Sequence, residues 1–209
     1  MLKTYKILAL LLSYPDKELQ EFLPEIEMML REDALLQENE IEKVAQFVEI
    51  YATKNLLQWQ GQYVQLFDFS RSVSLHLFEH VHGLSKDRGQ AMVDLMDEYA
   101  EQGLEMHTGE LPDYLPVFLE FLSTRSSAKA AQLLSEPVHI IQAIYNTLDE
   151  KENSYRLIFA ALVSLSATKP SKAAVDKLLK NQRPLDFDKE YAEEPVTFGG
   201  MQNPCKTCK

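Results

Sequence analysis

The sequence predicts an all-α protein: a single-domain bundle of about ten helices with an extended C-terminal tail. Apolar residues recur at helical spacing along most of the 209 residues. Glycine is rare, with seven residues, and no segment alternates apolar and polar residues long enough to indicate a strand. A chain of this length can bury one substantial core. We therefore expect one helical domain over residues 1–183 and an acidic, flexible tail over residues 184–209.

The N-terminal helix is predicted over residues 3–13. Its apolar run Ile7–Leu12 is far shorter than the roughly 20 residues that a membrane-spanning helix needs, and no small-residue cleavage site follows it. We therefore expect the buried first helix of a cytoplasmic protein, without membrane insertion. Asp16 can cap a second helix that runs to Arg31, and Pro24 is expected to bend or split it.

The remaining helices follow from apolar spacing, caps and breakers. On the fourth helix, Leu56, Trp59, Tyr63, Leu66 and Phe67 share the apolar face. Gly83 and Gly103 are expected to end the fifth and sixth helices, and Pro112 to begin the seventh. The predicted ranges are 40–53, 55–67, 74–83, 85–103, 112–122, 126–134, 135–148, 153–168 and 171–181, with a loop over 104–110.

The charge of the chain limits its partners. Lys and Arg total 21 against 32 Asp and Glu, which gives a net charge of −11. Nucleic acids and anionic membranes attract positive surfaces, so neither is an expected partner. A positively charged peptide or protein fits the charge. The alternative interpretation is that the acidity only keeps the protein in solution.

Residues 74–83, SLHLFEHVHG, contain the pattern H-x-x-E-H from His76 to His80. In inverted zinc peptidases, two such histidines bind the metal and the glutamate activates water. On a helix, the imidazoles of His76 and His80 would leave the same face. A catalytic zinc also needs a third protein ligand, and no second signature supplies one. Buried histidines that pair with neighbouring groups are therefore the preferred interpretation, and a zinc hydrolase is the alternative.

The only two cysteines, Cys205 and Cys208, form a single C-x-x-C motif in the tail. A zinc site needs two further ligands, and a thioredoxin-type motif needs a βαβ context that the helical pattern lacks. We interpret the motif as two reducible thiols. The sequence has no phosphate-binding glycine loop and no G-x-S-x-G, so we predict no catalytic residues and no metal site.

Three longer stretches resemble a known family: YVQLFDFSRSVSLHLF (63–78), HLFEHVHGLSKDRGQAMVDL (76–95) and ELPDYLPVFLEFL (110–122). The tail stretch EPVTFG (194–199) agrees with them. Together they resemble the NarJ family, chaperones for assembly of molybdenum-containing respiratory nitrate reductase, within the wider TorD- and DmsD-type group of redox-enzyme maturation chaperones. The resemblance is strongest over 63–122, and the C-x-x-C motif lies outside it.

The resemblance implies an all-helical chaperone without catalysis and without a cofactor of its own. Such chaperones bind the immature catalytic α subunit of nitrate reductase, mainly through its N-terminal segment. They hold it in the cytoplasm until the molybdenum cofactor is inserted, before it docks at the membrane. Whether the chaperone also contacts molybdenum cofactor delivery proteins is left open.

The resemblance also points to residues for binding the client peptide: Tyr63, Leu66, Phe67, His76, Phe78, His80, His82, Arg88, Asp113, Tyr114 and Phe118. Structural or charge-pairing roles are expected for Glu79, Asp87 and Gln90. Because an unpaired buried charge is costly, we expect Arg88 to pair with Glu79 or Asp113. Asp113 either caps its helix or accepts a hydrogen bond from a bound peptide. Tyr114 stands where histidine is common in the wider group, so no histidine-based role is expected there.

Three function hypotheses follow: a client-specific assembly chaperone, a zinc hydrolase, and a helical scaffold or regulator without a maturation role. The chaperone is favoured. The three neighbouring histidines add the hypothesis that client binding depends on pH near neutrality.

Overall fold

The computed structural model describes residues 1–81, 87–101, 103 and 109–181, and these residues form helices joined by short connections. The helices are α1 (Lys3–Leu12), α2 (Lys17–Phe22), α3 (Ile26–Asp33), α4 (Glu38–Ala52), α5 (Leu56–Phe67), α6 (Leu77–Val81), α7 (Asp87–Glu101), α8 (Leu115–Ser123), α9 (Ser127–Leu134), α10 (Val138–Glu150), α11 (Arg156–Leu165) and α12 (Lys172–Asn181). Within those ranges the only β-type pairing is one isolated bridge, so the all-α prediction is confirmed. The predicted tail, 184–209, lies outside the described residues.

Helix α1 is a core helix, since seven of its ten residues are buried and six of those are apolar. It packs against α8, α3 and α11, while α11 lies between α4 and α10, and α12 covers α10. Asp33 fixes the start of α1, since its carboxylate accepts hydrogen bonds from the Thr4 backbone N–H at 2.8 Å and the Thr4 hydroxyl at 2.6 Å. No helix among the described residues is long and apolar enough to cross a membrane.

An aromatic cluster joins α4, α5 and the start of α11. The Trp59 indole N–H donates a buried 2.8 Å hydrogen bond to the Tyr155 hydroxyl. Ring centroids lie 4.8 Å apart for Tyr51 and Trp59, and 4.9 Å apart for Phe67 and Tyr155. The cluster comprises Phe47, Tyr51, Trp59, Tyr63, Phe67 and Tyr155, all of them buried. It anchors one face of α5 in the core.

Several predicted boundaries hold and others are wrong: the ninth and tenth predicted helices begin at Val138 and Arg156 instead of residues 135 and 153. Pro24 does split the second predicted helix, through a 3-10 turn at Leu23–Glu25, and Gly103, at φ 75°, follows the end of α7. The fifth predicted helix begins only at Leu77, and the seventh begins at Leu115 instead of residue 112. In both cases the preceding residues pair with each other, which removes them from helical geometry.

Candidate functional site

A short antiparallel bridge between His76 and Tyr114 organises the site. The Leu77 N–H donates to the Asp113 carbonyl at 2.9 Å, and the Leu115 N–H donates to the Leu75 carbonyl at 2.8 Å. The bridge joins the histidine-rich segment to the Pro112-Asp113-Tyr114 segment, which are far apart in the sequence. Both segments therefore enter their helices, α6 and α8, from one shared point.

The Asp113 side chain is fully buried beneath this bridge. Its carboxylate accepts a hydrogen bond from the Phe78 backbone N–H at 3.1 Å and lies 3.4 Å from the Nδ1 atom of His76. Tyr114, and not Asp113, occupies the N-cap position of α8. The expectation that Asp113 caps its own helix is therefore wrong: its carboxylate stabilises the start of α6 instead.

Arg88, on the first turn of α7, completes an ionic cluster that consists of His76, Glu79, Arg88 and Asp113. Its guanidinium lies 3.5 Å from the Glu79 carboxylate and 3.8 Å from that of Asp113. Pairing of Arg88 with both acids agrees with the sequence-based expectation. A buried carboxylate needs such compensation, since leaving it unpaired would be strongly unfavourable.

His76 is the more accessible of the two described histidines in the motif. Its ring lies against the Tyr114 ring, with centroids 5.2 Å apart. The hydrogen bond to Asp113 raises the pKa of His76, although partial burial opposes that shift. The pairing with Asp113 therefore favours the charged imidazolium.

His80 has the opposite environment. It is buried, its Nε2 atom lies 2.8 Å from the Ser74 carbonyl oxygen, and burial lowers its pKa. Since a carbonyl only accepts, Nε2 carries the hydrogen. His76 precedes α6 and contacts Asp113, so the prediction that both imidazoles leave one helix face is wrong. No group of three or more His, Cys, Asp or Glu side chains in the described part of the chain is arranged to hold a metal ion.

A hydrogen-bond chain of tyrosines connects the ionic cluster to the core. The Tyr63 hydroxyl donates to the Leu12 carbonyl at 2.8 Å and lies 3.0 Å from the Tyr114 hydroxyl. Because the hydrogen of Tyr63 is used on Leu12, the Tyr114 hydroxyl is the donor in that pair. Burial raises the pKa of both tyrosines, which keeps both phenols neutral and the chain intact.

Two adjoining depressions lie on the surface beside these residues. The first, the tyrosine cleft, has a volume of about 210 Å³ and is lined by Tyr14, Tyr63, Phe67, Asp68, Leu75, His76, Glu110 and Tyr114. The second, the apolar groove, has a volume of about 580 Å³ and is lined by Tyr14, Leu57, Gln60, Gly61, Val64, Gln65 and Phe69. Tyr14 borders both, so they form one continuous surface along α5.

The apolar groove exposes unusually large side chains. Phe69 is 81% exposed, Leu57 is 78% exposed and Tyr14 is 51% exposed. A Cβ atom added to Gly61 would meet nothing within 4 Å, so the groove floor is open. Contiguous exposed apolar residues commonly mark a binding surface. Two acidic residues, Asp68 and Glu110, line the adjoining cleft.

The other predicted site residues lie in varied places. Phe67 and Phe118 are in the core. Leu66 lines a separate polar cleft with Tyr51 and Lys54, on the other side of α5. Phe78 is half-buried, and exposed Gln90 donates to Asp94 on α7 at 2.8 Å. His82 and the Asp87 side chain lie outside the described residues.

Sequence reasoning missed the residues that form the apolar groove. Leu57 follows the inward-facing Leu56 and falls off the apolar stripe of α5, while Phe69 stands inside the polar segment Asp68–Ser74. The sequence did contain a signal for the groove: these two large apolar residues stand in positions that the helical pattern assigns to solvent. Tyr14 offered none, because it precedes a turn.

Comparison with known proteins gives a consistent result. A family model described as the nitrate reductase delta subunit matches residues 15–161. The nitrate reductase molybdenum cofactor assembly chaperone NarJ of Escherichia coli K12 is 35% identical over 196 residues, covering 92% of this chain and 83% of NarJ. NarJ of Bacillus subtilis is 27% identical, covering 82% and 95%. A solved redox enzyme maturation protein from Archaeoglobus fulgidus shares the fold, with a TM-score of 0.56 at 23% identity over 78% of this chain and 91% of that one.

Proposed function

This chain belongs to the nitrate reductase delta subunit family, together with the NarJ assembly chaperones, and from that premise we propose that it binds the immature catalytic α subunit of nitrate reductase. The NarJ relatives are named as assembly chaperones. The proposed client segment is the N-terminal segment of the α subunit. The proposed binding surface is the apolar groove with the adjoining tyrosine cleft.

The exposed apolar groove is the observation that carries this proposal. An amphipathic helix binds such a groove by inserting the apolar side chains of one face. Leu57 and Phe69 flank open space above Gly61, so a client side chain can enter there. Apolar anchors of this kind supply most of the binding energy in protein interfaces.

Charge supports a basic client segment. The chain carries a net charge of −11, and the cleft that continues the groove is bordered by Asp68 and Glu110. A basic segment would be drawn to this rim and oriented by it, which mainly accelerates association. The buried Asp113 carboxylate, by contrast, is compensated internally by Arg88 and His76.

In this proposal the chaperone acts in the cytoplasm. It holds the α subunit until molybdenum cofactor has been inserted, and so keeps membrane docking from preceding maturation. The chaperone then leaves and is not a component of the finished enzyme. Covering an apolar client segment also protects the unfinished subunit from aggregation.

Isothermal titration calorimetry tests the binding directly. A synthetic peptide of the N-terminal segment of the α subunit, and separately the whole subunit without cofactor, are titrated with the full chain. Saturable binding is expected for both. Failure of both to bind would overturn the proposal and leave the scaffold hypothesis.

A groove-filling variant locates the binding surface. Gly61→Leu adds a side chain into open groove space and replaces a helical glycine, so it should not weaken folding. It is expected to reduce client affinity by about tenfold or more, the size of an interface hot spot. Ala128→Leu, on an exposed face of α9, is the matched control and should bind normally.

A further inference from the structure

Arg88 is held in the ionic cluster by poor contacts. Charge-assisted hydrogen bonds to a carboxylate are typically about 2.7–2.9 Å long, whereas its guanidinium lies 3.5 Å from Glu79 and 3.8 Å from Asp113. Its Nε atom is buried and donates to no acceptor in the described part of the chain. The guanidinium therefore supplies charge to the cluster but leaves hydrogen-bonding capacity unused.

Asp113 is held much more firmly. Its carboxylate accepts from the Phe78 backbone N–H, its backbone carbonyl accepts from the Leu77 N–H, and its side chain is fully buried. The acid is thus a fixed feature of the fold, whereas the cation above it is a long side chain with 23% exposure. Of the two partners, Arg88 is therefore the one whose displacement breaks fewer hydrogen bonds.

Departure of Arg88 is unfavourable unless another cation replaces it, because the buried carboxylate would lose its principal compensating charge. His76 offers partial compensation at 3.4 Å, and only when it is protonated. A basic side chain from a bound segment could compensate the Asp113 carboxylate in place of Arg88. The replacement would be favourable if the new side chain made shorter hydrogen bonds to the carboxylate than Arg88 does. His76 and Tyr114 line the tyrosine cleft with their rings against each other, and His76 also contacts Asp113, so the acid lies directly behind a residue of the cleft wall.

We propose that Asp113 accepts an arginine or lysine side chain of the client, and that Arg88 is an internal cation that occupies this acid when no client is bound. This inference rests on the proposed function and adds to it a specific recognition element. Arg88 acts as a competitor: the fraction of molecules with Asp113 available sets the apparent affinity. Removal of Arg88 should therefore strengthen binding of a basic client.

The test compares Arg88→Gln with a charge-matched control. Arg31→Gln removes the same charge from an exposed site on α3, where Arg31 pairs with Glu27 and Glu38. Calorimetry with the N-terminal peptide of the α subunit should show about tenfold tighter binding for Arg88→Gln than for Arg31→Gln. The gain should disappear with a peptide whose Lys and Arg residues are replaced by Gln, and in the Arg88→Gln, Asp113→Asn double variant.

A measurement on the unmodified chain covers the case in which Arg88→Gln does not fold. The Arg88 Nε–H is buried, so its NMR signal should exchange slowly with water and become fast on addition of the peptide. Peptide binding without that change overturns the inference, as does binding by Arg88→Gln no tighter than by Arg31→Gln. In both cases the proposed function stands. Failure of peptide and whole subunit to bind the unmodified chain overturns both.

Discussion

The aromatic cluster and the ionic cluster are neighbouring buried networks with different construction. In the aromatic cluster the partners are neutral, and its Trp59–Tyr155 hydrogen bond measures 2.8 Å. In the ionic cluster the charged atoms lie 3.4–3.8 Å apart. A ligand cannot offer the neutral partners a shorter hydrogen bond than the one they already have. It can offer the loosely paired charges a closer partner. The first network therefore fixes the fold, and the second is suited to exchange partners.

The two networks also connect different parts of the structure. In the aromatic cluster, side chains from α4 and from the start of α11, two helices that pack together, meet the inner face of α5 through ring contacts and one hydrogen bond. The ionic cluster joins the segment before α6, the segment before α8 and the first turn of α7. Tyr63 and Tyr114 link the two networks by one hydroxyl contact. Substitutions in the ionic cluster should therefore disturb mainly the segments around it, whereas substitutions in the aromatic cluster should destabilise the whole fold.

Trp59→Ala is expected to lower the free energy of unfolding more than any other substitution considered below. It removes a fully buried indole and leaves a cavity beside Tyr155, so the free energy of unfolding should fall by about 3–5 kcal/mol. Chemical denaturation measures the change. Leu57→Ala, two residues away and exposed, is the control and should change stability by less than about 0.5 kcal/mol. Similar losses for both variants would contradict the burial described for α5.

Asp113→Ala should have the next largest effect. It removes the carboxylate that accepts from the Phe78 N–H and one of the two acids beside Arg88, and we expect a loss of about 2–3 kcal/mol. Asp113→Asn keeps an acceptor oxygen and should lose less in the same denaturation experiment. A loss for Asp113→Ala as large as that for Trp59→Ala would mean that the ionic cluster also fixes the fold.

Tyr114→Phe isolates the link between the networks. It removes one hydroxyl that donates to Tyr63 and leaves the Tyr63 bond to Leu12 in place. The expected cost is about 0.5–1.5 kcal/mol, the net value of one hydrogen bond. Tyr14→Phe, whose ring is half exposed, should cost less. Equal costs for the two variants would show that the hydroxyl chain contributes nothing.

The smallest expected effect concerns pH: the contributions of His76 and His80 to stability should change with pH in opposite directions. For His76 the pKa is raised by Asp113, so its stabilising contribution is complete below about pH 6.5 and is lost as pH rises through the folded-state pKa. For His80 the pKa is lowered by burial, so stability is retained above about pH 6.5 and lost as pH falls.

Denaturation of His76→Gln and His80→Gln between about pH 5.5 and 8 measures these contributions. His76→Gln should cost more stability in acid than at the alkaline end. The acid-induced destabilisation of the unmodified chain should be smaller in His80→Gln. Parallel pH profiles for the two variants would contradict the assigned environments.

Sequence reasoning succeeded where a property is local. Pro24 cannot donate a helical hydrogen bond, so the split of the second helix was predictable, and the pairing of Arg88 followed from the cost of a buried charge. The position of His76 was not predictable, because it depends on a backbone bridge to Tyr114, 38 residues away in sequence. Leu57 and Phe69 could have been noticed in the sequence as apolar residues at solvent-facing positions, but their meeting with Tyr14 in one groove depends on the tertiary structure.

Photo-crosslinking tests most directly whether the apolar groove is the client surface. Benzoylphenylalanine is placed at Leu57, in the groove, or at Met28, a 58% exposed residue of α3 that serves as the control. Each protein is irradiated with the whole α subunit lacking cofactor. We expect the Leu57 position alone to crosslink, and to do so within the N-terminal segment of the subunit. Equal crosslinking from Met28, or a stable complex that crosslinks only from Met28, would contradict the account.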